Sequence, residues 1–191
     1  FAALAMASVE ALGITLGKKE LSALARRGSG SACRSVYTGF VTWSGSFAEQ
    51  VYEKRHWPEL RDVIVVIDAE EKKMSSRDAM KRTVETSDAY KKRLMVVDDR
   101  VEVVKQAIGQ KDFPLLAKTI MEDSDEFHTC LKDTKPRVTY LTEKSYTIID
   151  AVRRMNADQI IAGYTFDAGP NAHLITLEEH VESVVQNIKA C

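Results

Sequence analysis

Apolar residues recur at helical spacing through the middle of the chain, and that periodicity constrains the fold more than any other feature. Val97, Val101, Val104 and Ile108 fall on one helical face, and Phe113, Leu116 and Ile120 repeat the pattern after Pro114. A proline is compatible with a first helical turn, where its missing N–H has no partner to lose. Val97, Val101, Val104, Phe113, Leu116 and Ile120 are therefore expected in the core. Helices with one apolar stripe need a covering layer. Short β-branched runs supply it: Asp62-Val-Ile-Val-Val-Ile67 fits a buried strand, and Gln159–Phe166 and Ala172–Thr176 read as two more. The expected architecture is α+β, with several helices on an antiparallel or mixed sheet.

The remaining segments fill in this outline. Residues 1–12 favour a helix, Gly13 and Gly17 interrupt it, and Lys18 to Arg27 form a second short helix. Ser35 to Trp43 reads as a strand, and residues 44–58 as a polar loop ending at Trp57-Pro58. A helix is expected from Asp78 onward, and Ile148, Val152 and Met155 mark another. Thr176-Leu-Glu-Glu179 has the form of a capping box for a last helix, whose apolar face is Leu177, Val181, Val184 and Ile188.

A formal net charge of −1 gives no case for broad attraction to nucleic acid or an anionic membrane, so a small-molecule partner is expected. No apolar run reaches the length of a membrane span. Cys33, Cys130 and Cys191 form no CxxC pair, which suits free thiols in a reducing, cytoplasmic compartment. His56, His128, His173 and His180 lack metal-ligand spacing and read as surface or partly buried side chains; no metal-binding residue is expected. The chain opens on Phe1-Ala-Ala-Leu-Ala-Met6 with no capping residue before it, as if cut from within a larger protein.

Three segments hold residue types suited to chemistry. Gly28-Ser-Gly-Ser-Ala-Cys-Arg34 combines tight backbone turns, two hydroxyls and a planar guanidinium that matches carboxylate or phosphate. Its alternative is a small-residue loop packed before a strand, and it is not a Walker A motif. Glu71-Lys-Lys-Met-Ser-Ser-Arg77 sets cations and hydroxyls near a helix start, as a polyanion site or as a solvated charged loop. Asp167, ahead of a Gly-Pro turn, fits either a general base or a turn cap.

Taken together, long stretches resemble one family. ARRGSGSACRSVYTGFVTW (25–43), HWPELRDVIVVIDAEEKK (56–73), TVETS (83–87), MEDSDEFHTCLKDTKPRVTYL (121–141) and YTFDAGPNA (164–172) resemble, in order, the mevalonate diphosphate decarboxylases of the GHMP superfamily of small-molecule kinases. The resemblance implies a GHMP kinase-type two-domain fold. Residues 1–60 would be a remnant of the N-terminal, ribosomal S5-like domain, and residues 61–191 the C-terminal domain.

It also implies an activity. Members of the family use ATP and Mg²⁺ to phosphorylate the C3 hydroxyl of mevalonate 5-diphosphate, then lose phosphate and CO₂ to give isopentenyl diphosphate. By resemblance Asp167 orients or deprotonates that hydroxyl, and Arg34 holds the substrate carboxylate. Ser29 and Ser31 line the substrate site, Arg77 meets the 5-diphosphate, Ser76 lies near the phosphoryl-transfer region, and Met80 lines the pocket. These residues are expected to converge on one small ligand. The family habit implies a homodimer. The family's Gly/Ser-rich nucleotide loop would precede Phe1, so residues 1–191 alone are expected not to turn over. The alternatives are a sister GHMP kinase acting on a mevalonate derivative without decarboxylation, and a non-catalytic fragment.

Overall fold

A computed structural model describes residues 1–68 and 75–191. The Glu71–Met74 part of the charged segment lies outside the described residues. The chain forms two compact units, Phe1–Pro58 and Glu59–Cys191.

In the first unit, helices α1 (Ala2–Ala11) and α2 (Lys18–Gly28) precede a 3-10 turn over Gly30–Val36 and an antiparallel hairpin, β1 (Phe40–Ser44) with β2 (Phe47–Tyr52). Helix α2 begins at Gly17, whose N–H donates to the Glu20 carboxylate at 2.8 Å. Its inner face, Ser22 and Ala25, is buried, as are Cys33 of the 3-10 turn and Ala48 of β2.

Two expectations fail here. Ser35–Tyr37 are not strand, because the Gly-Ser-Ala stretch coils into the 3-10 turn and β1 starts only at Phe40. Gly39 makes the change of direction at φ +73°, where a Cβ would lie 2.5 Å from the Tyr52 carbonyl oxygen. Residues 44–58 are not one polar loop either. Gly45, at φ +64°, turns the chain back into β2, whose exposed Glu49 and Gln50 mask the apolar half of the strand.

The second unit holds a three-stranded antiparallel sheet in the order β3 (Leu60–Val65), β5 (Ala172–Leu177), β4 (Ala162–Phe166). Between β3 and β4 come helices α3 (Ser76–Thr86), α4 (Asp88–Arg93), α5 (Val97–Gln110), α6 (Phe113–Asp133) and α7 (Glu143–Met155); α8 (Val181–Lys189) follows β5. Ile148, Ile149 and Val152 of α7 and Val184 of α8 pack on Tyr164, Phe166 and Leu174 to form the main core. Among the described residues no helix is long and apolar enough to cross a membrane.

Strand β4 is an edge strand, and side chains cap its outward backbone groups, as edge strands require. Asn156 accepts from the N–H groups of Ile161 (3.0 Å) and Ala162 (3.2 Å) and donates to the Ala162 carbonyl (2.7 Å). Ser124 of α6 accepts from Phe166 N–H at 3.0 Å, and His128 Nε2 lies 3.2 Å from the Phe166 carbonyl.

The helical periodicity holds with one displacement. Phe113 and Leu116 are buried, while Val97, Val104, Ile108 and Ile120 are half-buried. Val101 is 39% exposed, contrary to expectation. Val97, Arg100 and Val104 are half-buried and Ala107 is buried, so the covered side of α5 takes in Arg100, which charge holds to α6, and leaves Val101 out. Arg100 pairs with Asp123 at 2.9 Å and with Glu126, the two carboxylates that Arg93 of α4 also grips at 2.8 Å each. Burial opposes ionisation of Asp123, yet the two guanidiniums prevail and hold its carboxyl below the usual range. The Thr176 capping box is also absent. Thr176 lies within β5 with its hydroxyl donated to the Ile161 carbonyl at 2.6 Å, and α8 starts only after a 3-10 turn over Glu178–His180.

Candidate functional site

Each unit carries its own group of the expected residues. In the first, Ser29, Ser31 and Arg34 are brought onto a single loop. Ser29 ends α2 in extended conformation (φ −155°, ψ 134°), and its carbonyl accepts from Ala32 N–H at 3.1 Å to start the 3-10 turn. Ser29 is half-buried, whereas Ser31 and Arg34 are exposed.

Two residues that sequence reasoning missed hold this loop. Ser22, fully buried in α2, donates its hydroxyl to the Cys33 carbonyl at 2.9 Å and accepts from Ala48 N–H at 2.9 Å. The loop is thus tied to helix and hairpin through one oxygen. Trp43 lies against the loop from β1, and the Arg34 and Arg26 guanidiniums stand 5.8 and 5.7 Å from its ring centroid. A Ser inside the apolar stripe of a short helix was the available signal for Ser22, and Trp43 gave none beyond its type.

In the second unit, Ser76, Arg77 and Met80 occupy the first turns of α3. Ser75 caps that helix, accepting from Asp78 N–H at 3.1 Å and donating to the Asp78 carboxylate at 2.7 Å. Ala79 and Thr83 turn inward and are buried, which leaves Arg77 exposed and Met80 56% exposed.

Asp167 follows β4 directly. Its carbonyl, not its carboxylate, accepts from Gly169 N–H at 2.8 Å. Asn171 ties the far end of this loop to the segment after β3, accepting from Ile67 N–H (2.8 Å) and Asp68 N–H (3.0 Å), while Ser145 donates to the Pro170 carbonyl at 3.0 Å. The exposed Asp167 carboxylate stands on a loop braced by other side chains, Ser124 and His128 at Phe166 before it and Ser145 and Asn171 after it. His128 is fully buried beneath it, and burial pushes its imidazole pKa below the ordinary 6.5.

Among the described residues no group of three or more His, Cys, Asp or Glu is placed to hold a metal ion. Within each unit the exposed guanidinium and the neighbouring hydroxyls, Arg34 with Ser29 and Ser31 in the first and Arg77 with Ser76 in the second, are groups chemically suited to an anion.

Residues 62–191 match the family model of the mevalonate 5-diphosphate decarboxylase C-terminal domain, and residues 1–51 that of the diphosphomevalonate decarboxylase-like N-terminal domain. The chain belongs to the mevalonate 5-diphosphate decarboxylase family. It is 41% identical over 194 residues to the diphosphomevalonate decarboxylase of Candida albicans, a match covering 97% of this chain and 54% of that protein. The Homo sapiens diphosphomevalonate decarboxylase is 44% identical over 180 residues, covering 88% of this chain and 45% of that protein. The chain thus spans about half the length of the curated relatives it matches.

Solved structures in the family agree. The crystal structure of a mevalonate 5-diphosphate decarboxylase superposes with a TM-score of 0.90 at 38% identity, covering 96% of this chain and 50% of that one. A structure of MDDEF in complex with MVAPP, AMPPCP and magnesium gives 0.93 at 39% identity, covering 99% and 60%. The α+β, GHMP-type fold expected from sequence is the fold of this family.

Proposed function

We propose that the protein to which this chain belongs carries out the ATP-dependent decarboxylation of mevalonate 5-diphosphate to isopentenyl diphosphate. The observation that carries this reading is the paired family match, which runs through both units in order. We place the domain boundary of the parent fold near residue 60, with residues 1–60 in the N-terminal and 61–191 in the C-terminal domain.

The chemistry assigns a task to each residue type. A tertiary C3 hydroxyl is hindered and weakly acidic, so Asp167 orients it and takes its proton as the phosphoryl group arrives. The C3–O bond then breaks with loss of phosphate, and C3 becomes electron-poor. Arg34 holds the substrate carboxylate so that the electrons of its C–C bond move into the new double bond as CO₂ leaves. Arg77 receives the 5-diphosphate, Ser29 and Ser31 bind the substrate, and Met80 lines its apolar side. Ser76 lies beside the transferring phosphoryl group. Mg²⁺ would be held by the nucleotide phosphates and would supply charge neutralisation there. Arg34 favours decarboxylation over simple phosphorylation, since a carboxylate that is not expelled needs no such clamp. The reading includes a homodimer and a cytoplasmic location.

The test is a paired assay on the full-length polypeptide with mevalonate 5-diphosphate and Mg-ATP, following ADP and CO₂ together. Equal molar yields are expected. ADP without CO₂ would assign a kinase instead, and neither product would remove the proposal.

A further inference from the structure

The environment of Trp43 points to a role beyond that of a surface aromatic. Its ring is 38% exposed, yet it is fixed on three sides. The indole N–H donates to the Gly45 carbonyl at 3.2 Å, so the hairpin turn sets its angle. The far edge of the ring packs on Gly30 so closely that a Cβ there would stand 3.0 Å from Cη2, and the ring would have to move aside by a few tenths of an ångström to admit it. Arg34 and Arg26 approach the ring at 5.8 and 5.7 Å, within the range of cation–π attraction.

Arg34 is otherwise lightly held. Its side chain is exposed, and among the described residues no hydrogen bond or ion pair engages its guanidinium. An exposed arginine samples many rotamers, a freedom it surrenders on gripping a ligand. An aromatic face beside the guanidinium lowers that loss and occupies none of its five N–H donors, which stay available to a carboxylate. Arg26 at the same ring adds to the local positive potential.

We propose that Trp43 is the positioning residue for Arg34: packed on Gly30 and hung from the Gly45 carbonyl, its indole pre-orients the guanidinium that takes the ligand carboxylate. The proposal rests on the reading of Arg34 given above, and its test separates the two.

Two measurements on the full-length polypeptide decide it. The first is the NMR signal of the Arg34 Nε–H group without ligand. A guanidinium over an indole carries a ring-current displacement, which should vanish in Trp43→Leu, persist in part in Trp43→Phe, and shift in Gly30→Ala, where the ring is displaced and not removed. An Arg34 signal unchanged in Trp43→Leu overturns the proposal, and the dispersion of the same spectrum reports that each variant is folded. The second is a double-mutant cycle on mevalonate 5-diphosphate affinity. Trp43→Leu should weaken binding on the order of tenfold, and should add nothing once Arg34→Ala is present. Independent, additive losses overturn it. If no variant and no wild-type protein binds the ligand while the NMR displacement behaves as stated, Trp43 stands as the positioner of Arg34 and the substrate reading falls.

Discussion

The buried hydroxyl of Ser22 donates to the carbonyl of Cys33 at 2.9 Å, joining the middle of α2 to the middle of the loop that carries Ser29, Ser31 and Arg34. The same oxygen accepts from Ala48 N–H of the hairpin. Ser22→Ala would leave one buried donor and one buried acceptor without partners, which costs about 1–3 kcal/mol per group left unpaired. A loss of at least ~1 kcal/mol in urea denaturation is expected, with weakened binding of any Arg34 ligand. A variant as stable as wild type would mean that water or a backbone shift replaces the hydroxyl.

The sequence showed this region as chemistry before it showed it as structure. Ser29, Ser31 and Arg34 were legible because their types and order match a family motif, while their supports were not. Ser22 looks like an ordinary helix residue until the hairpin is folded against it. β2 was missed because Glu49 and Gln50 break its alternation, and its identity as a strand depends on pairing with β1. In the second unit the apolar periods of α6, α7 and the strand pair β4–β5 were strong enough to read directly. The error at Val101 arose where ion pairs from Arg100 set the rotation of α5, an influence that hydrophobic spacing does not record. Thr176 failed as a cap because a strand residue can share the spacing of a capping box.

Gly163 of β4 is predicted to be irreplaceable. A Cβ there would lie 2.9 Å from the Ala117 Cα and 3.0 Å from both the Ala117 Cβ and the Ile120 Cδ1. Two of those atoms belong to one fixed residue of α6, so the helix itself must shift. Gly163→Ala should cost about 1–3 kcal/mol as overpacking, read as a lower denaturation midpoint. A neutral effect would show that α6 yields at Ala117.

His128 gives the fold a pH dependence of known sign. Its imidazole is buried against Phe166, which disfavours the charged form most, and Lys132 acts in the same direction; the Phe166 carbonyl, Asp125 and Asp167 oppose them without prevailing. The folded state therefore takes up its proton at lower pH than the unfolded state. Above about pH 6.5 both states are neutral and the group contributes nothing to the pH dependence. As pH falls from there toward the folded value, stability should decline by at most about 1.4 kcal/mol per pH unit. Asp123 loses its own contribution only in the carboxylate range, so the two windows are distinct. In His128→Gln the decline between pH 6.5 and 5 should flatten; an unchanged slope would assign it to another group.

Asp167 offers the sharpest functional test, because the structure removes its structural role. The turn it begins is closed by backbone, with Gly169 N–H on the Asp167 carbonyl, and braced by Asn171 and Ser145. Asp167→Asn preserves size and leaves those contacts in place, so stability should change by no more than ~0.5 kcal/mol. An amide does not accept the C3 hydroxyl proton, so kcat of the full-length polypeptide should fall by at least ~10²-fold while KM for mevalonate 5-diphosphate changes little. Arg34→Lys is the matched control on the other reacting group: the charge survives, the two-pronged grip on the carboxylate does not, and turnover should again drop. A stable Asp167→Asn protein with near-normal turnover would show that another group takes the proton, since neither misfolding nor loss of the turn would account for it.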